Sequence, residues 1–144
     1  MKTVNKIKSA LVLTTITTLV GCTTVADMAG YDTATLNTNA AKSYSQVVSK
    51  ANGQGAVDNT SATAIRVKNV FNRMKPYAVR ANTTGVPFDW QVTVIRSPEL
   101  NAWAMPGGKM AFYTGIVEKL KLTDAEIAAI MGHEMTHALS EHSK

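Results

Sequence analysis

The 144-residue chain has one cysteine, Cys22, so no disulfide within it can staple a fold. Acidic residues are missing from its start, and none precedes Asp27. It also lacks an apolar run long enough to cross a membrane. The longest candidate, residues 10–20 (ALVLTTITTLV), falls short of the roughly 20 residues a spanning helix needs, and Thr14, Thr15, Thr17 and Thr18 weaken it further. No internal repeat is visible. A large excess of charge is missing as well: the formal +5 includes Lys2, Lys6 and Lys8, and residues 22–144 carry twelve basic against ten acidic groups. So small and scattered a surplus excludes a nucleic-acid footprint.

At 45% apolar and 17% charged, the composition is that of a soluble globular chain, with room for at most one domain plus appendages. The three lysines, the apolar run and the small residues at its exit describe a secretory signal over residues 1–21. Leu19-Val20-Gly21-Cys22 further resembles a bacterial lipobox, which makes Cys22 the expected lipidation site and the lipid the membrane anchor. The alternatives are a plain secretory signal whose cleavage site includes a cysteine, or a buried N-terminal helix. Thr23, where an aspartate would favour inner-membrane retention, points to the outer membrane.

Residues 22–60, rich in Thr, Ala, Asn, Ser and Gly, read as a lipidated N-terminus and tether. A weakly striped helix over Leu36 to Lys50 is possible within it, and NGQG at 52–55 is a break. From Ser61 the pattern sharpens. Ile65, Val70, Phe71, Met74, Tyr77 and Ala78 recur at helical spacing as a core stripe, with Pro76 expected to kink or end the helix near Lys75. WQVTVIR (90–96) alternates like a strand. NAWAM (101–105) and KMAFYT (109–114) are two more strands, joined by a Pro106-Gly107-Gly108 turn. A short helix over Gly115 to Leu122 follows. Thr123-Asp124-Ala125-Glu126 is a capping box, and it opens a last helix with Ile127, Ile130, Met131, Met135, Ala138 and Leu139 inward.

All three histidines fall within ten residues, and His133-Glu134-Met135-Thr136-His137 spells HExxH. Residues four apart on a helix share a face, about 5–6 Å apart at Cβ, so both imidazoles can serve one ion. Neutral imidazole suits Zn2+, although other divalent ions accept the same donors. Glu134, beside the first ligand, is placed to act as catalytic base on a water activated by the metal. A catalytic site needs a third protein ligand. His142 lies nine residues after His133, a rotation of about 180°, so it points away. The extended motif would need Gly and His where Ser140 and Ser143 stand, and Glu141 lies roughly 11–12 Å beyond His133. The third ligand is therefore expected outside this sequence.

NAWAMPGGKMAFYTGIVEKLKLTDAEIAAIMGHEMTHALSEH resembles the HtpX and CAAX-prenyl-protease-like family of zinc metallopeptidases, and within it the periplasmic outer-membrane lipoprotein branch. The resemblance is strong over residues 92–142, fainter over 61–91 and absent from the tether. It implies an α+β, zincin-like fold: a helix, a small antiparallel sheet with its hairpin, then the HExxH helix. Residues 61–144 would be the N-terminal portion of that domain. It implies His133 and His137 as ligands to one Zn2+, Glu134 as base, and a third ligand, a Glu, on a later helix. It further implies that Asn101, Ala102, Trp103 and Ala104 border the substrate cleft, with Trp103 equally readable as a core or lipid-facing aromatic. The function implied is endopeptidase cleavage of unfolded or misassembled envelope proteins at the periplasmic face, with envelope assembly machinery as a further partner. The alternative is a non-catalytic lipoprotein acting as chaperone or assembly factor, or an inactive fragment.

Overall fold

The Asp32 carboxylate accepts the Thr35 amide at 2.9 Å and the Thr35 hydroxyl at 2.8 Å, and this cap starts helix α1, Thr33–Gly53. The computed structural model describes residues 32–140. The expected signal segment, Cys22 and the start of the tether lie outside the described residues, as do Glu141, His142 and Ser143.

The tether expectation is corrected from residue 33 onward. In place of a loose linker with a helix at 36–50, α1 runs for 21 residues and buries Ala40, Tyr44 and Ala51. Two alanines and a tyrosine give a stripe too slight for apolar periodicity to register. The tyrosine hydroxyl makes that burial possible, because it donates to the Met110 carbonyl at 3.0 Å and meets the Thr93 hydroxyl. Gly55, at φ +66, turns the chain out of the helix at the expected break. Val57 then pairs with Ile95, and buried Asp58 accepts the amides of Thr60 and Ser61 at 3.1 and 3.0 Å. Ser61 in turn caps helix α2, Ala62–Ala81, by accepting the Ala64 amide.

Helix α2 runs through Pro76 to Ala81, so of the two outcomes expected near Lys75, a kink or an end, the end does not occur. Its buried stripe is Ala64, Val67, Val70, Phe71 and Ala78, with Met74 packed alongside. Ile65 is exposed and Tyr77 is 68% exposed, so both leave the expected core. The true stripe is phased through small Ala64 and Val67, which the larger residues beside them masked. Tyr77 packs instead under the Arg80 guanidinium, 4.7 Å from the ring centre.

Three strands follow: β1 Gln91–Ile95, β2 Ala102–Met105 and β3 Lys109–Tyr113. The sheet order is β1-β3-β2, with β2 antiparallel to β3 but β1 parallel to it. The α+β class is as expected, whereas the wholly antiparallel sheet is not. The loop after Ile95 carries the chain past the position of β3, and the hairpin folds back between β1 and β2. The central place goes to the strand buried on both faces. Met110 and Phe112 join a large cluster with α2 and the last helix, while Ala111 faces a smaller one with α1. Helix α3, Thr114–Lys119, and helix α4, Asp124–Ser140, complete the order. The sheet thus carries α1 on one face and α2 with α4 on the other. No helix of the described residues is long and apolar enough to cross a membrane.

Candidate metal centre

The start of α4 is set by its cap. The Glu126 amide donates to the Thr123 hydroxyl at 3.2 Å, and that hydroxyl meets the Glu126 carboxylate at 3.1 Å. Arg66 ties this end to α2, reaching the Leu122 carbonyl at 2.7 Å and the Asp124 carboxylate at 2.9 Å. Both partners of that ion pair are well exposed, so it orients the helix more than it stabilises it. Ile127, Met131, Met135 and Ala138 are buried as expected, with Ile130 and Leu139 packed against them. Gly132 lets α2 approach closely: a Cβ there would stand 3.2 Å from the Met74 methyl.

With that stripe turned inward, the helix rotates HExxH to its open flank. The His133 and His137 rings lie 4.3 Å apart at their centroids, inclined by 54°. Glu134 sits between the buried stripe and the imidazoles. Its Oε2 is 4.0 Å from Nδ1 of His137, with side-chain exposures of 16% for Glu134 and 53% for His137. One donor atom from each of the three residues falls within 4.8 Å of the others. Two imidazoles and a carboxylate, converging on the solvent side of one helix, are the donor chemistry that a borderline divalent ion such as Zn2+ takes. Thr136 stays out of this group, its hydroxyl donating to the Gly132 carbonyl at 2.9 Å. Among the described residues no further His, Cys, Asp or Glu joins these three.

Strand β2 runs beside this helix, on the sheet edge that α4 covers from one face. The Tyr113 amide donates to the Asn101 carbonyl at 3.1 Å, so Asn101, Trp103 and Met105 direct their peptide groups at β3. The peptide groups of Ala102 and Ala104 therefore face outward, along an edge with no strand partner among the described residues. The side chains go elsewhere. Ala102 and Ala104 pack into the large cluster, with Met131 and Met135. Trp103 packs on the opposite face, edge-on to Tyr44 at 6.2 Å, its indole N–H donating to the Tyr113 hydroxyl at 3.4 Å. Of the residues expected to border a cleft, β2 thus offers backbone rather than side chains.

A helix bearing HExxH on its open flank, braced by a small sheet whose β2 edge is unpaired among the described residues, defines a metallopeptidase-type centre. Residues 61–144 match Peptidase family M48, and the chain belongs to that family. Among curated proteins it is similar to Metalloprotease LoiP of Escherichia coli, 34% identical over 67 residues, which is 46% of this chain and 25% of LoiP. Metalloprotease YcaL of the same organism is 33% identical over 66 residues, 46% of this chain and 24% of YcaL. Mitochondrial metalloendopeptidase OMA1 of Arabidopsis thaliana is 37% identical over 68 residues, 47% of this chain and 13% of OMA1. The matched stretch therefore spans a quarter or less of these relatives. No solved structure matches the chain.

Proposed function

We propose that the chain carries the catalytic helix of a Zn2+-dependent endopeptidase that cleaves unfolded or misassembled proteins of the bacterial envelope. The observation that carries this reading is the convergence of His133, Glu134 and His137 within 4.8 Å, beside the free edge of β2. The two imidazoles hold the ion together with a third ligand, which the family resemblance makes a Glu beyond the described residues. A divalent ion held there supplies Lewis-acid chemistry at the scissile carbonyl and its attacking water. Glu134 takes the proton of that water as the new C–O bond forms. It then gives the proton to the amine nitrogen as the C–N bond breaks. An extended substrate pairs with the outward peptide groups of Ala102 and Ala104, which asks for an unfolded segment rather than a particular sequence. The address rests on residues 1–22, with lipid on Cys22 holding the protein at the periplasmic face of the outer membrane.

The test is Glu134→Gln in the full-length mature protein, third ligand included, with β-casein as an unfolded substrate. Cleavage should vanish while Zn2+ stays bound, since the imidazoles are untouched. Undiminished cleavage would remove Glu134 from the mechanism. An unaltered ability to hold unfolded protein, in a wild type that never cleaves it, would favour the chaperone reading.

A further inference from the structure

Helix α1 ends before residue 61, where the match to the family begins, yet it reaches the strand that lies beside HExxH. It does so at two points. The Tyr44 ring stands edge-on to Trp103, 6.2 Å between centroids at 83°, on the sheet face opposite α4. Nearer its start, Asn37 rests on the turn joining β2 to β3, so closely that a Cβ on Gly107 would come within 3.1 Å of it. Tyr44 itself cannot slide, because its hydroxyl is held by Thr93 of β1 and the Met110 carbonyl of β3. Strand β2 is therefore gripped from both sides. Ala102 and Ala104 lean on the cluster that holds Met131 and Met135, and Trp103 leans on Tyr44.

The geometry points to α1 as a positioning element of the peptide-binding edge, acting through Tyr44 on Trp103; this rests on the edge-binding reading above. Edge pairing needs the outward N–H and C=O groups of Ala102 and Ala104 at a fixed height relative to His133 and His137. A short edge strand has few ladder bonds of its own to hold that height. Tyr44 touches neither substrate nor the donor residues, so its effect belongs to substrate binding and not to the chemical step.

The experiment compares Tyr44→Ala and Tyr44→Phe in the mature protein by β-casein cleavage and by amide hydrogen exchange. Tyr44→Ala should raise KM by roughly fivefold to tenfold with kcat within about twofold, the pattern of lost uniform binding. Tyr44→Phe keeps the edge-on ring but loses its hydroxyl anchor, so its KM should fall between those of wild type and Tyr44→Ala. Exchange should quicken at the Trp103 and Met105 amides, which face β3, but not along α4. Unchanged KM and unchanged exchange in β2 would overturn the proposal, as would equal loosening of β2 and α4. Should Tyr44→Ala fail to fold, Tyr44→Leu, which keeps apolar bulk without the ring, is read the same way. A wild type that cleaves nothing would count against the proposed activity instead, and the exchange result then decides the role of α1 alone.

Discussion

Glu134 Oε2 lies 4.0 Å from Nδ1 of His137, one turn further along the same helix, and the carboxylate is the less exposed of the two. The pairing follows from helical spacing and from the depth of the Met131 and Met135 stripe. A residue directly beside that stripe is drawn toward the core, while its neighbours one turn apart remain open. The helix thereby presents a sheltered carboxylate beside two accessible imidazoles without any loop.

The ligand assignment makes the first prediction. His133→Ala or His137→Ala should weaken Zn2+ binding by more than the roughly 10–100-fold that loss of an outer-shell partner costs. Thr136→Ala, whose hydroxyl bonds the Gly132 carbonyl, should leave it unchanged. Competition with a chromogenic chelator measures both.

The hairpin turn gives a ranking. A Cβ on Gly108 would lie 2.7 Å from the Trp90 ring, at φ +88. On Gly107 it would lie 3.1 Å from Asn37 at φ +84, and on Gly85 it would meet nothing within 4 Å at φ +79. The left-handed backbone alone costs about 1–3 kcal/mol for a residue with a side chain. Alanine at these positions should therefore destabilise in the order Gly108, Gly107, Gly85, with Gly108→Ala clearly worst in urea unfolding.

Acid should act through Asp58. The Ser61 hydroxyl and amide, then the Thr60 amide and the Arg96 charge, hold its carboxyl below the ordinary value of 3.8, against the opposing effect of burial. A carboxyl lowered in the folded state stabilises the fold above its unfolded pKa and loses that contribution as pH falls through the folded one. Asp58→Asn should thus be less stable than wild type near neutral pH. The gap should narrow steadily as pH drops below 3.8, which urea midpoints across that range would measure.

Much of this was legible because the signals were local. Thr123 and Glu126 marked the start of α4, His133 and His137 shared a face by spacing alone, and Gly107-Gly108 announced the hairpin. What was not legible depended on partners far along the chain. Residues 33–53 form a helix against the sheet because Tyr44 finds Thr93 and Met110, neither visible from the run of Ala, Thr and Ser around it. The parallel pairing of β1 with β3 comes from the path of the loop after Ile95, which no alternation of side chains encodes. The inward face of α2 is masked in the sequence, since the exposed Ile65 and Tyr77 outweigh the buried Ala64 and Val67 in the apolar periodicity. Trp103 could have faced either way until Tyr44 was seen beside it.

The central claim is that His133, Glu134 and His137 form a hydrolytic metal centre, and metal removal tests it most directly. The mature protein would be stripped with a strong chelator, assayed on β-casein, and assayed again after one equivalent of Zn2+ is returned. The account predicts that cleavage stops on stripping and resumes with the metal, but never in Glu134→Gln. Cleavage that persists in the stripped protein, or returns equally in Glu134→Gln, would contradict it.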